Sequence, residues 1–167
     1  MNADKKPNLT MLCDFYELTM GNGYFQCGYK DRITYFDVFF RTVPDNGGFA
    51  IAAGLEQAVR YIQQLHFDED DIAYLRGRGI FSEDFLSYLR DFRFTGDIWA
   101  VPEGTPIFPR EPIMTVRAPA IEAQLVETFL LLTLNHQSLP IARHKLSAMA
   151  GVRGSTPSGL RWRNPRD

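Results

Sequence analysis

From Ile121 to Leu139 the chain reads IEAQLVETFLLLTLNHQSL, which is apolar over most of a helical surface, with Glu122, Gln124 and Glu127 expected on its wettest side. A helix this apolar has to be packed under other structure. The rest of the chain must therefore supply the layers that cover it.

Those layers can be read in order. Leu12 to Met20 has the spacing of the first turns of a helix, with Leu12, Phe15, Tyr16 and Thr19 on one face and Thr10 available as a cap. Ile33 to Phe40 is β-branched and aromatic, the composition of a strand buried on both faces. Pro44, Asn46, Gly47 and Gly48 predict a loop, and Phe49 to Ala53 a short apolar strand closed by Gly54. Leu55, Ala58, Val59, Ile62 and Leu65 then follow the i, i+3, i+4, i+7 rule, with Glu56 where a helix dipole favours an acid.

Asp68 opens a second helix, with Glu69, Asp70 and Asp71 in its first turn. That acid run has the residue types of a metal site, but its position favours a solvated helix start. Ser82 caps a third helix that buries Phe85, Leu86, Leu89 and Phe92. Ile98 to Val101, Thr105 to Phe108 and Ile113 to Val116 are short strands divided by Pro- and Gly-containing turns, a spacing that predicts an antiparallel meander. Pro140 is expected to end the long helix, and periodicity fails beyond Ser147.

Charge excludes some functions. With 20 acidic and 18 basic residues the net charge is −2, so the whole chain makes no electrostatic case for nucleic acid or an anionic membrane. The balance is uneven: residues 140–167 carry +5 and the remainder −7. The basic stretch holds one aromatic residue, Trp162, and no recognisable binding module, so solvated disorder is favoured over a nucleic-acid contact. The longest apolar run, Phe129 to Leu132, is far below the ~20 residues that span a bilayer. The polar start, Met1 to Asn8, lacks the apolar stretch of a secretory signal, and Cys13 and Cys27 match neither a CxxC pair nor a zinc set. A cytoplasmic protein with reduced thiols is expected.

Motifs of independent chemical meaning are scarce. The chain has no GxGxxG, P-loop or HExxH, and its three histidines, His66, His136 and His144, are scattered. His136, in Asn135-His136-Gln137-Ser138, is favoured as a structural residue over a catalytic base. Gly21-Asn22-Gly23 and Gly47-Gly48 are favoured as turns over phosphate cradles.

Four stretches acquire meaning together. Leu12-Cys-Asp14-Phe-Tyr16-Glu-Leu-Thr19-Met20 with Gly23-Tyr24 resembles the opening motif of nicotinate phosphoribosyltransferases. Phe36-Asp-Val-Phe39-Phe40-Arg41-Thr-Val-Pro44 with Gly48 to Glu56 is similar to the family's next stretch. Pro102-Glu103-Gly104 to Pro112, and Glu127 through Asn135-His136-Gln137-Ser138-Leu139, continue the likeness in order over residues 8–139.

The resemblance implies an α+β fold: the N-terminal flanking domain of a type II phosphoribosyltransferase, without the complete α/β barrel. Residues 1–139 would form that domain and 140–167 a basic, disordered tail. Such enzymes join nicotinate to phosphoribosyl diphosphate, giving nicotinate mononucleotide for NAD synthesis, with Mg2+ on the pyrophosphate and turnover coupled to ATP. They work as homodimers with active sites at the subunit interface. The transition state is a ribosyl cation leaving an anionic pyrophosphate, so the protein must screen the anion and align the pyridine nitrogen.

One residue carries over as a substrate contact, Tyr16, whose family counterpart stacks on the nicotinate ring across the dimer; on spacing alone, plain helix packing stays open for it. Arg41 receives no direct ligand, and no catalytic or metal residue is assigned in this chain. The family's Glu-Phe-Gly-x-Arg-Arg strand and Gly-Thr-x-x-His segment, which bind nicotinate and carry the phosphorylated histidine, do not occur here. Activity of the chain alone is therefore not expected, and a frameshifted or disrupted gene accounts for the Arg/Gly/Ser/Pro-rich end. The alternative is a non-catalytic interaction protein docking on an intact homologue.

Overall fold

The computed structural model describes residues 8–43 and 48–149, with side chains described as far as residue 139. Pro44, Asn46 and Gly47 of the expected loop, and residues 150–167 of the end on which the disorder and frameshift expectations rest, lie outside those residues, while residues 140–149 of that end continue a helix.

Capping chemistry sets the helical half of the fold. Asp68 and Asp71 form a reciprocal capping box, with Asp71 N–H donating to Asp68 Oδ1 at 3.0 Å and Asp68 N–H to Asp71 Oδ2 at 3.1 Å, which starts α3 (Glu69–Gly77). Ser82 Oγ accepts from Phe85 N–H at 3.3 Å and starts α4 (Glu83–Arg90). Gly54, at φ 95, turns the chain into α2 (Leu55–Gln64). The acid run is a helix start, and Phe85, Leu86 and Leu89 are buried as their spacing predicts.

The strands form an antiparallel sheet in the order β1 (Ile33–Phe39), β5 (Pro112–Pro119), β3 (Asp97–Ala100), with Phe36 opposite Val116 and Ile98 opposite Val116 on the other side. A second, two-stranded sheet pairs β2 (Ala50–Ile51) with β4 (Pro106–Ile107). The fold is α+β, and no barrel closes among the described residues. The meander is corrected: after Val101 the chain leaves the first sheet, and Gly104 N–H donates to Ala52 O at 2.8 Å while Ala52 N–H donates to Thr105 O at 2.9 Å. The buried Ala50–Ala53 segment has to satisfy its backbone groups, and the strand that does so is β4.

Helix α5 (Ala120–Leu125) lies on this sheet, and α1 (Phe15–Gln26) lies on α5. Only one face of β1 is covered, so Thr34, Phe36 and Val38 turn inward while Ile33, Tyr35, Asp37 and Phe39 are exposed; burial on both faces is not observed. The long apolar helix is broken at Val126 into α5 and α6 (Glu127–Met149). It does not end at Leu139. A proline inside a helix removes one N–H bond, and the backbone here continues through Pro140 to Met149. Glu122 and Gln124 are also not on a wet side, being 6% and 3% exposed. Glu122 is buried because it accepts from Thr95 N–H at 2.6 Å and from Thr95 Oγ–H at 2.9 Å, and Gln124 because it donates to Glu127 at 2.8 Å.

Phe85 anchors the core between α1 and α4, ringed by Phe25, Phe81 and Tyr88 at centroid distances of 5.7, 5.9 and 6.2 Å. Close approach is most severe at Gly96, where an added Cβ would stand 2.5 Å from both the Arg117 carbonyl and Ala118 Cβ. Gly23 is in helix α1 with nothing within 4 Å of such an atom. Gly96→Ala is therefore expected to destabilise by about 1–3 kcal/mol through overpacking, and Gly23→Ala to stabilise by roughly 0.5–1 kcal/mol. Thermal denaturation of the two variants should move the melting temperature in opposite directions.

Candidate functional site

Helix α1 is amphipathic the other way round from its sequence pattern. The stripe of Leu12, Phe15, Tyr16 and Met20 is exposed, while Glu17, Leu18 and Gly21 are buried. Thr10 does not cap the helix: its hydroxyl donates to His66 O at 2.7 Å and accepts from His66 N–H at 3.1 Å. Asp14 takes the N-cap position without a side-chain cap bond.

Tyr16 is 43% exposed and stands on a groove of about 470 Å³ shared with Met20, Phe36, Asp37, Val126, Glu127 and Leu130. Partial desolvation, then the neighbouring Glu127 carboxylate, push Tyr16 up to about 12, so the phenol stays neutral at physiological pH. Glu127 is itself held by Gln124 Nε2–H. The groove joins an aromatic face, apolar walls and carboxylate acceptors, and among the described residues its lining includes no Lys or Arg. It can stack a flat ring but offers no cation to a carboxylate or phosphate on that ring.

Behind Tyr16 is an acid that the sequence does not mark. Glu17 is 0% exposed. Its Oε1 accepts from Thr128 N–H at 3.0 Å, caps the first turn of α6 and also accepts from Thr128 Oγ–H at 2.5 Å. Thr128 Oγ in turn accepts from Asp14 N–H at 3.3 Å. Glu17 Oε2 and the hydroxyl of Tyr61 are buried with no hydrogen-bond partner among the described residues. Tyr61 stacks on Phe129 at 3.7 Å, and burial pushes both its phenol and the nearby Cys13 thiol upward.

A buried first-turn acid has the same sequence appearance as a surface acid favoured by the helix dipole, and this is why Glu17 escapes sequence reading. Cys13 and Cys27 are free thiols.

The other motifs have structural roles. Ser138 Oγ accepts from Ala53 N–H at 3.1 Å and donates to Ala53 O at 3.3 Å, and Gln137 donates to Gln57 at 3.1 Å, docking α6 on β2 and α2. His136 and Arg41 are exposed. Glu103 Oε1 accepts from Gly54 N–H at 2.9 Å and Glu56 N–H at 3.4 Å, capping α2 from a distant turn. Among the described residues no three His, Cys, Asp or Glu side chains converge to hold a metal. These residues do not fit the magnesium that the resemblance implies. No helix among them is long and apolar enough to cross a membrane.

The family model described as the nicotinate phosphoribosyltransferase N-terminal domain matches residues 11–135. The chain is 44% identical over 147 residues to nicotinate phosphoribosyltransferase pncB2 of Mycobacterium tuberculosis, covering 86% of this chain and 31% of that protein. It is 40% identical over 135 residues to the nicotinate phosphoribosyltransferase of Bacillus subtilis, covering 81% and 28%. The crystal structure of human nicotinic acid phosphoribosyltransferase superposes with a TM-score of 0.77 at 32% identity, over 91% of this chain and 32% of that one. A nicotinate-nucleotide pyrophosphorylase from Pyrococcus furiosus, at TM-score 0.54 and 17% identity, shares the fold. The chain thus spans about a third of the length of the relatives it matches.

Glu17 couples this site to pH. Its carboxyl rises from 4.5 to about 7, chiefly by burial and secondarily through Glu127 and Asp14, against the lowering effect of the two Thr128 bonds. The folded chain then binds this proton more tightly than the unfolded chain. The stability Glu17 contributes is full below about pH 4.5 and is lost as pH rises through 7, a change of at most about 3 kcal/mol. Denaturant titrations at pH 5 and pH 8 should show the wild-type chain weakening with pH, and Glu17→Gln should flatten that dependence.

Proposed function

The chain belongs to the nicotinate phosphoribosyltransferase family, and from that premise we propose that its residues supply the aromatic half of a nicotinate site and no more. The observation that carries this reading is the groove under Tyr16, with an exposed neutral phenol over apolar walls and no basic residue in its lining among the described residues. The pyridine ring stacks on Tyr16. Screening of the nicotinate carboxylate, the phosphates and the leaving pyrophosphate comes from outside this groove: from a second subunit across a homodimer interface and from the part of the family's length that these residues do not span. Mg2+ and ATP act there, on NAD synthesis in the cytoplasm.

A ring stacked on Tyr16 is held in one plane, which leaves its nitrogen edge free to meet the ribosyl carbon. Stacking of this kind is worth roughly 0.5–1.5 kcal/mol beyond area. Enzymes lower their barriers by about 8 kcal/mol or more, most of it through groups that stabilise developing charge. Tyr16 alone supplies about a tenth of that.

The exposed stripe of Leu12, Phe15, Tyr16 and Met20 supports a second reading, a non-catalytic chain that docks on an intact homologue through this face. The two readings agree on the surface and differ on chemistry.

The purified 167-residue chain is expected to make no nicotinate mononucleotide from nicotinate and phosphoribosyl diphosphate, with or without ATP and Mg2+, beside an intact homologue as positive control. Turnover above the no-enzyme rate that vanishes in Tyr16→Ala would overturn this reading. Sedimentation of the chain mixed with the homologue separates the second reading: a mixed complex that Phe15→Asp abolishes supports docking.

A further inference from the structure

We propose that Glu17 and Thr128 are positioning residues for Tyr16, forming a clamp between the first turns of α1 and α6 that holds the tyrosine on its groove. The proposal rests on the reading of Tyr16 as the stacking face for nicotinate and adds the residues that aim it.

The geometry is specific to the backbone on both sides of Tyr16. Two positions before it, Asp14 donates its N–H to Thr128 Oγ at 3.3 Å. One position after it, Glu17 Oε1 accepts from Thr128 N–H at 3.0 Å and from Thr128 Oγ–H at 2.5 Å. The threonine hydroxyl is thus used in both directions, as acceptor from one flank and donor to the other. One residue earlier on α6, Glu127 lines the same groove as Tyr16. The Tyr16 turn is tied on both flanks to one residue of one helix.

That helix is a firm support. Leu130 N–H donates to Val126 O at 3.1 Å, and Phe129, Leu130 and Leu134 are buried in the core. The exposed ring therefore takes its direction from the hydrogen bonds on its two flanks rather than from packing around itself. A ring held this way loses little rotational freedom when a ligand stacks on it, which is how preorganisation raises affinity.

A conventional role in stability predicts something different. If the clamp only holds α1 to α6, removing it lowers the melting temperature but leaves the ring against the same groove wall. If it positions Tyr16, the ring leaves the wall while the core stays intact.

The test uses the full 167-residue chain without ligand, at neutral pH, as the wild type and as Glu17→Gln, Glu17→Ala, Thr128→Ser and Thr128→Val. Nuclear Overhauser contacts between the Tyr16 ring and the Met20 and Leu130 side chains report ring position, with Tyr16→Ala assigning them. Contacts among Phe25, Phe85 and Tyr88 report the core. The ring contacts should persist in Glu17→Gln and Thr128→Ser, which keep the acceptor and the hydroxyl. They should fall by half or more in Glu17→Ala and Thr128→Val, with the core contacts unchanged.

Ring contacts that survive undiminished in both Glu17→Ala and Thr128→Val, whatever the melting temperatures, overturn the proposal. Where Glu17→Ala does not fold, Thr128→Val decides, since it keeps the buried acid bonded to the Thr128 backbone N–H. Because no ligand is present, a failure of Tyr16 to bind nicotinate sinks the functional reading alone, and a ring that ignores the clamp sinks this one alone.

Discussion

A helix that begins inside a protein needs partners for its first N–H groups, and this chain meets that need with carboxylates from far along the sequence. Glu17 caps α6 from 111 positions away, Glu103 caps the entry to α2 from 49, and Glu122 holds Thr95 from 27. Hydrogen bonds to a charged group contribute about 1.5–3 kcal/mol each, and stranding one buried partner costs a similar amount. These three acids therefore close the fold at its joints: α1 to α6, the β4 turn to α2, and α5 to the approach of β3. The apolar core fills the space between joints that hydrogen bonds have already set.

The same requirement accounts for the inverted face of α1. Once Glu17 is committed to the end of α6, helical geometry turns Leu18 and Gly21 inward with it and leaves Phe15, Tyr16 and Met20 outside. Gly21 faces the Phe85 ring across this joint, where a Cβ would lie 3.4 Å from it, in ordinary contact. The exposed stripe is thus a consequence of burying the acid. It is also what gives the surface its use, since an aromatic ring on a fixed turn beside an apolar groove can take a flat ligand or a second protein surface.

Local physics was legible in the sequence. Asp68 and Ser82 are caps, and the helices after them have the expected buried faces. The apolar 121–139 stretch lies under other structure. The errors cluster where a residue's partner is distant. Periodicity cannot tell which side of β1 will be covered, because α5 arrives some 80 positions later. It also cannot see that Ala50–Ile51 will need β4, which turns three neighbouring strands into members of two sheets. Glu122 and Gln124 read as wet because acids and amides are usually exposed, and only the Thr95 and Glu127 contacts reverse that. Pro140 reads as a stop because the rule weighs one lost bond and ignores the helix on both sides of it.

The α1–α6 joint is also where the structure tolerates an imperfection. Glu17 Oε2 and the Tyr61 hydroxyl are both buried without partners among the described residues, and each such atom costs about 1–3 kcal/mol. A joint built for stability alone would be better served by apolar residues of similar volume, since a buried ionisable group is poor value against good packing. What apolar packing could not supply is direction. A threonine hydroxyl and a carboxylate fix the two flanks of Tyr16 to one point, whereas methyl groups would hold the helices together and leave the turn free to rotate.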